Sequence, residues 1–497
     1  MKRSSSSKPN PTVLFHLFVL LLIHRRTGSN AQPEINVVVI LVLENRSFDH
    51  MLGWMKQSLN PSINGLTGTE CNPRSAADIS SICVSDDAGF IDSDPGHSFE
   101  DVIQQVFGST SGSVPSMSGF VSQALTISST LPATVMKCFS PENLPVFSSL
   151  VGEYAVFDRW FSSIPGPTQP NRLFVYSATS HGATRHDPVD LLLGYPQKTI
   201  FDSLHDEGLD FAIYFESLPT TLFYRNMRRL DFAPKFHWFP TFGKHAREGK
   251  LPSLSVIEPR YFDVVGAEAD DDHPGHDVGN GQRLVKEVYE ALRASPQWNR
   301  SLLILTYDEH GGFYDHVETP YVGVPNPDGL RGPPPFYFNF DRLGVRIPTI
   351  MVSPWIKKGT VVSRPNGPTT NSEYEHSSIP ATLKKLLGLK SDFLTKRDAW
   401  AGTFEHILQE LSSLRTDCPE ILPDPLPTRS SEAKEDSFLS EFQAELVDLA
   451  AVLNGDSVFN LRKDTGKQMT VKEADAYVNF AMKNYMKAAR EAIDRGN

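Results

Sequence analysis

At 497 residues with 40% hydrophobic side chains, the chain suits one large domain or several smaller ones, and wholesale disorder is excluded. A formal net charge of −12 and a pI of about 5.7 exclude a global cationic surface for nucleic acid or anionic lipid. Thirty-seven prolines and thirty-three glycines point to many ordered loops, which commonly carry sites on an α/β scaffold.

In chain order, Lys2, Arg3 and Lys8 precede the apolar run VLFHLFVLLLI at 13–23, and small residues follow in TGSNAQ. This layout predicts a secretory signal over residues 1–31, cleaved after Ala31, because the run is too short to span a bilayer comfortably. Arg25 and Arg26 beyond it keep an uncleaved anchor or an organellar address as alternatives. No later segment is long and apolar enough to span, so the mature chain is expected to be soluble or peripheral to membranes.

NVVVILVL (36–43) predicts the first strand. Cys71 and Cys83 follow in a polar stretch and are expected to close a small disulfide ring, with Cys138 and Cys418 as a candidate second pair. RLFVYSATS (172–180) reads as a helix, FAIYFES (211–217) and LSVIEP (254–259) as strands, and GQRLVKEVYEALRAS (281–295) as a helix. LLILTYDE (302–309) and IPTIMVSPW (347–355) are further strands, and IPATLKKLLGL (379–389) a further helix. Near-continuous apolar strands alternating with helices predict an α/β fold with a central, mainly parallel sheet flanked by helices. From about residue 425 the composition changes to a Pro/Ser/charge-rich linker, PDPLPTRSSEAKEDS, followed by two amphipathic helical patterns. The expected organisation is therefore signal (1–31), main domain carrying the site (32–424), and linker with helical C-terminal region (425–497), the last read as packing.

Polar clusters stand at three strand or helix boundaries: Glu44-Asn45, Asp308-Glu309 with Asp315 and His316 behind a Gly-Gly turn, and Glu375-His376. Adjacent carboxylates after an apolar strand are costly if buried and unpaired, so Glu44, Asn45, Asp308 and Glu309 together suggest an oxygen-rich site for a divalent cation. In PGPTQPNRLFVYSA, Thr168 stands just before Pro170, a residue tolerated in a helix's first turn. A hydroxyl there faces free backbone N–H groups and the positive helix end, and Arg172 has the planar fork for phosphate. Thr168 is thus a candidate nucleophile toward phosphorus. His97 in DPGHSFED, and His273 and His276 among Asp270, Asp271, Asp272 and Asp277, are candidate acid/base or phosphate-contacting groups. Alternatively, the acidic run 270–272 is a solvated loop. Of the two sequons, Asn299-Arg300-Ser301 lies in a polar connection and is the expected glycosylation site. Asn45-Arg46-Ser47 follows a buried strand, where a glycan would fill the space a substrate needs.

ENRSFDHMLG, TQPNR, DEHGGFYDHV, GVRIPTIMVSPW and EHSS, in this order between residues 44 and 378, resemble the phosphoesterase family of bacterial phospholipases C and acid phosphatases. Within it the chain is most similar to the plant non-specific phospholipases C. The resemblance implies an alkaline-phosphatase-like α/β fold and hydrolysis of glycerophospholipids at a membrane surface to diacylglycerol and a phosphorylated head group. It further implies metal ligation by Glu44, Asn45, Asp308 and Glu309, and a transiently phosphorylated Thr168. It implies catalytic or phosphate-contacting roles for His97, His273 and His276, with Arg172 and His376 as phosphate-binding candidates. A phosphomonoesterase on the same fold is the near alternative. The aromatic, Pro-rich segment 323–344 is where lipid chains would separate the two, and a binding protein that has lost catalysis is the alternative from another class.

Overall fold

In the computed structural model, which describes residues 34–496 apart from 76, 77, 79, 110–113, 186 and 459–468, eight strands form one central sheet. They are β1 (Val37–Leu43), β2 (Ala155–Phe157), β3 (Phe211–Phe215), β4 (Phe236–Trp238), β5 (Leu254–Glu258), β6 (Ser301–Tyr307), β7 (Thr349–Val352) and β8 (Thr360–Val362). Their order is β8-β2-β7-β6-β1-β5-β3-β4, and β7 alone runs against its neighbours. The sheet is therefore mainly parallel, as expected, and β1, β3, β5 and β6 are buried along their whole length. The predicted signal lies outside the described residues.

The register places Leu43 of β1 opposite Tyr307 of β6, so the residues that follow each strand leave the sheet side by side. Those residues are Glu44-Asn45 and Asp308-Glu309. The sixth strand ends two residues earlier than predicted, and its last ladder bond runs from Asp308 N–H to the Leu43 carbonyl.

Four of the predicted helices form with shifted ends: α1 (Thr168–Ser177), α2 (Val278–Arg293), α3 (Ser378–Leu386) and, in the tail, α4 (Glu441–Asn454). A fifth, α5 (Val471–Asp494), lies beside α4. Helix α1 starts four residues earlier than predicted. The Asn171 side chain accepts from Ile164 N and donates to the Gly166 and Pro167 carbonyls, which holds the loop that launches the helix. Pro170 sits in the first turn, where its missing N–H has no partner to lose.

The stretch 425–437 is no free linker. Thr428 donates through N and Oγ1 to Asp277 Oδ1 (2.8 and 2.6 Å), and Arg429 pairs with Asp263. Phe442, Leu446, Val478 and Met482 of the tail helices join the same apolar core as the sheet strands. The tail is thus built into the main body.

Cys71 and Cys83 form the expected disulfide across a short hairpin. Replacing both with Ala should lower unfolding free energy by about 3 kcal/mol, as the twelve-residue separation suggests from chain entropy. Equal denaturation midpoints for oxidised and double-mutant protein would contradict this. The second pairing is corrected: Cys138 and Cys418 are both free and buried, in separate apolar clusters, so neither reaches the other.

Candidate active site

Three segments are knotted together at the carboxyl ends of β1 and β6. Glu44 N donates to Asp271 O (2.7 Å), Asn45 N to Asp308 Oδ1 (3.0 Å), and Arg46 N to Glu309 O (3.1 Å). Asn45 holds a left-handed backbone (φ 57°), a conformation Asn tolerates better than most residues. Gly311 packs against it: at φ +62° a Cβ there would stand 2.0 Å from the Asn45 carbonyl oxygen, so only glycine fits behind the Asp-Glu-His run.

The acidic run 270–272 does not form a solvated loop, since Asp271 and Asp272 are fully buried. Asp271 joins Glu44, Asp308 and Glu309 in one buried carboxylate group. Burial, and then Asp271, push the Glu44 carboxyl well above its ordinary range against the pull of Arg172. Burial likewise lifts Asp308 to about 6. Glu309 Oε1 and Asp271 Oδ2 are buried with no hydrogen-bond partner. Hard, orphaned oxygens on neighbouring buried carboxylates are the donor set a divalent cation takes. The residues present fit such an ion.

Arg172 and His376, expected at the phosphate, are committed elsewhere. The Arg172 guanidinium donates to Glu44 Oε1 and Asp308 Oδ2 (3.1 Å each), to the Tyr261 hydroxyl and to the Val42 carbonyl. His376 Nε2 donates to the Asp308 carbonyl (2.6 Å), and burial lowers its pKa to about 4, so the ring is neutral. Both stand behind the carboxylates: Arg172 pairs with Glu44 and Asp308, and His376 fixes the Asp308 backbone.

Thr168 opens α1, and its Oγ1 donates to Asn45 Oδ1 at 3.1 Å. It lines a pocket with His97 and His273. His97 Nδ1 donates to Pro95 O (2.8 Å), while Nε2 lies 3.3 Å from Asn45 Nδ2. Burial disfavours its charged form, but Glu309 and Asp94 outweigh that and raise the pKa to about 9. His273 donates to Pro274 O (2.6 Å); burial keeps it below the usual histidine range. His276 is set back, its Nδ1 2.6 Å from Asp271 Oδ1, on a neighbouring cavity of about 280 Å³ that His273 and Asp94 also line.

The same pocket is also lined by residues the sequence reading passed over: Gln169, Asp94, and Glu441, Phe442 and Glu445 of α4. Phe442 also covers Arg172, its ring centroid 5.5 Å from the guanidinium carbon, and Gln443 Nε2 donates to Tyr261 O (2.7 Å). In the sequence, an amphipathic helix after a Pro/Ser stretch carries no sign of this placement.

Asp315 and His316, grouped in the sequence with Asp308 and Glu309, lie in a different cluster with Asp49. Its geometry resembles a cation site, but Arg346 already bridges Asp49 Oδ1 (2.9 Å) and Asp315 Oδ1 (2.8 Å). The remaining oxygens accept from Asp49 N, His316 N and His316 Nδ1. The cluster is a closed ion-pair network. Burial lowers the His316 pKa, but the Asp49 hydrogen bond outweighs this and raises it above the ordinary value of about 6.5. The stability it contributes is therefore complete below pH about 6.5 and fades as pH rises through the folded value. His316→Gln should cost about 1 kcal/mol in acid and progressively less in alkali, read by urea denaturation across pH. A pH-independent difference would contradict this.

Residues 35–390 match the Phosphoesterase family, and the chain belongs to it: it is a hydrolase of phosphoric esters. Among curated relatives, Non-specific phospholipase C6 of Arabidopsis thaliana is 62% identical over 100% of this chain and 96% of its own length. Non-specific phospholipase C1 of the same plant is 56% identical over 94% and 88%. Phospholipase C B of Mycobacterium tuberculosis is 25% identical over 77% and 80%. Among solved structures, a protein in the alkaline phosphatase superfamily from Vibrio parahaemolyticus aligns over 93% of this chain and 90% of that one, with a TM-score of 0.33 and 11% identity, too distant to bear on function.

Proposed function

We propose that the protein is a phospholipase C, which cleaves glycerophospholipids at a membrane surface to diacylglycerol and a phosphorylated head group through a phosphorylated Thr168. The observation that carries this reading is the buried Thr168 hydroxyl, 3.1 Å from Asn45 Oδ1, at the start of a helix and in a pocket shared with two histidines. The names of the plant and mycobacterial relatives support the same substrate class.

In the first half-reaction Thr168 Oγ1 gives its proton to the neutral His273 imidazole and bonds to phosphorus, and the bond from phosphorus to the glycerol oxygen breaks. That oxygen takes a proton from His97 and leaves as diacylglycerol. In the second, water gives a proton to His97 as its oxygen bonds to phosphorus, Thr168 Oγ1 departs and recovers its proton from His273, and the phosphorylated head group is released. Backbone N–H groups at the start of α1 face the phosphoryl oxygens. Glu44, Asn45, Asp308 and Glu309 would hold a divalent cation, whose chemistry is to ease ionisation of a nearby hydroxyl and offset charge on phosphorus. Arg172 and His376 keep those ligands in place.

Targeting to the secretory pathway, with peripheral contact to membranes, belongs to the same proposal, an organellar destination being its alternative. Asn299 is exposed and accessible to a glycan, whereas Asn45 is fully buried. A lipid panel assayed with and without chelator tests the reading. The expected outcome is diacylglycerol plus phosphorylated head group from phosphatidylcholine, lost on chelation. Faster turnover of a soluble phosphomonoester than of any phospholipid would replace the reading with an acid phosphatase.

A further inference from the structure

The segment 323–344 carries large apolar side chains in water that are held there by an ordered backbone. Phe336 is 44% exposed, Tyr337 59% and Leu330 39%. Asn326 Nδ2 donates to the Leu330 and Asn339 carbonyls (2.8 Å each), and its Oδ1 accepts from Asp328 N and Gly329 N. Gly332 N donates to Phe338 O and Tyr337 N to Pro333 O, which closes the turn. Tyr337 has φ 47°, a left-handed conformation uncommon for an aromatic residue, so the fold spends conformational energy to hold this ring out.

Behind the exposed rings stands a packed aromatic layer that leads to the nucleophile's helix. Phe336 and Phe338 pack at a tilt against Phe99 (5.3 and 4.9 Å between centroids), and the Arg342 guanidinium lies over Phe99 and Phe338. Phe99, Phe338 and Phe340 share a buried cluster with Ile164 and with Phe174, which is on α1. Phe99 lies two residues after His97, and α1 begins with Thr168. The exposed rings are therefore the outer end of one packed aromatic layer whose inner end reaches α1, the helix that begins at Thr168.

We propose that Leu330, Phe336 and Tyr337 form the surface that seats the enzyme on a zwitterionic phospholipid bilayer, beside its active site. The proposal rests on the phospholipase reading for the choice of occupant, since that substrate resides in a bilayer. Charge favours a zwitterionic bilayer: a chain with a net charge of −12 has no overall attraction to anionic lipid, so apolar and aromatic insertion carries the adsorption. Amphipathic rings settle at head-group depth, where a tyrosine hydroxyl stays hydrated while the ring is buried.

The test uses the full chain and sedimentation with phosphatidylcholine vesicles, a readout independent of turnover. Phe336→Ser/Tyr337→Ser should weaken vesicle partition roughly tenfold or more, from the apolar area the two rings bury. Its turnover on vesicles should fall in parallel, while turnover on monomeric short-chain phosphatidylcholine stays at the wild-type level. Ile421→Ser, which removes another exposed apolar side chain (74% exposed) from the strap against α2, should change none of these. Unchanged partition of the double variant overturns the proposal. So does an equal loss on monomeric substrate, or a wild-type dimer that the double variant dissolves, which would make the patch a self-association face. If the wild type binds vesicles through these rings yet hydrolyses no phosphoester, the functional reading fails and this one stands.

Discussion

Thr168→Ala is expected to lower kcat roughly a thousandfold or more, because the hydroxyl proposed to bond to phosphorus is gone and the rest of the pocket replaces none of its chemistry. The fold should persist, since the substitution removes one hydrogen bond to Asn45, worth about 1 kcal/mol. Thr168→Ser keeps an oxygen at the same position and should retain part of the activity. Acid quenching during turnover should trap phosphate on the peptide containing Thr168 in the wild type and not in the alanine variant. Wild-type-like turnover by Thr168→Ala, with its circular dichroism spectrum unchanged, would remove Thr168 from the mechanism.

Arg172→Met should be at least as damaging, by a different route. The guanidinium is the cation that separates Glu44 from Asp308, each 3.1 Å away, and all three groups are almost wholly buried. Removing it leaves two buried carboxylates facing each other, at a cost of about 3–5 kcal/mol in unfolding free energy, and the site loses its geometry as well. Arg172→Lys keeps the charge but has no planar fork to reach both partners, so it should fall between the two. Adding Glu44→Gln to Arg172→Met should recover stability without activity, because it relieves the charge and not the lost ligand. If Arg172→Met were as stable as wild type but bound substrate weakly, Arg172 would be a phosphate ligand after all.

Five of the eight sheet strands could be read from the sequence because they are near-continuous apolar runs, which burial on both faces requires; Ala155–Phe157, Phe236–Trp238 and Thr360–Val362, three residues each, are too short to show such a pattern. Glu44, Asn45, Asp308 and Glu309 were legible for a related reason: acids directly after such strands are too costly to bury without a task. Thr168 could be placed because Pro170 and the local turn restrict where a helix starts. Each of these inferences uses residues within a few positions of one another.

What stayed hidden depends on partners far apart in the chain. Arg172 meets Glu44 across 128 residues and Asp308 across 136, so a guanidinium that looks available for phosphate proves to be neutralising the carboxylate layer. Asp315 and His316 follow Glu309 closely but turn toward Asp49 and Arg346. Cys138 and Cys418 share a chain but not a cluster. The amphipathic period of the tail predicted that α4 would pack, but not that Glu441, Phe442 and Glu445 would line the Thr168 pocket. Local sequence determines which surfaces must be buried and which groups cannot be buried alone. Which of those groups meet is set by the register of β1 against β6 and by the path of the chain around the sheet, because ion pairs and pocket walls form between whatever side chains the packed fold brings within a few ångströms.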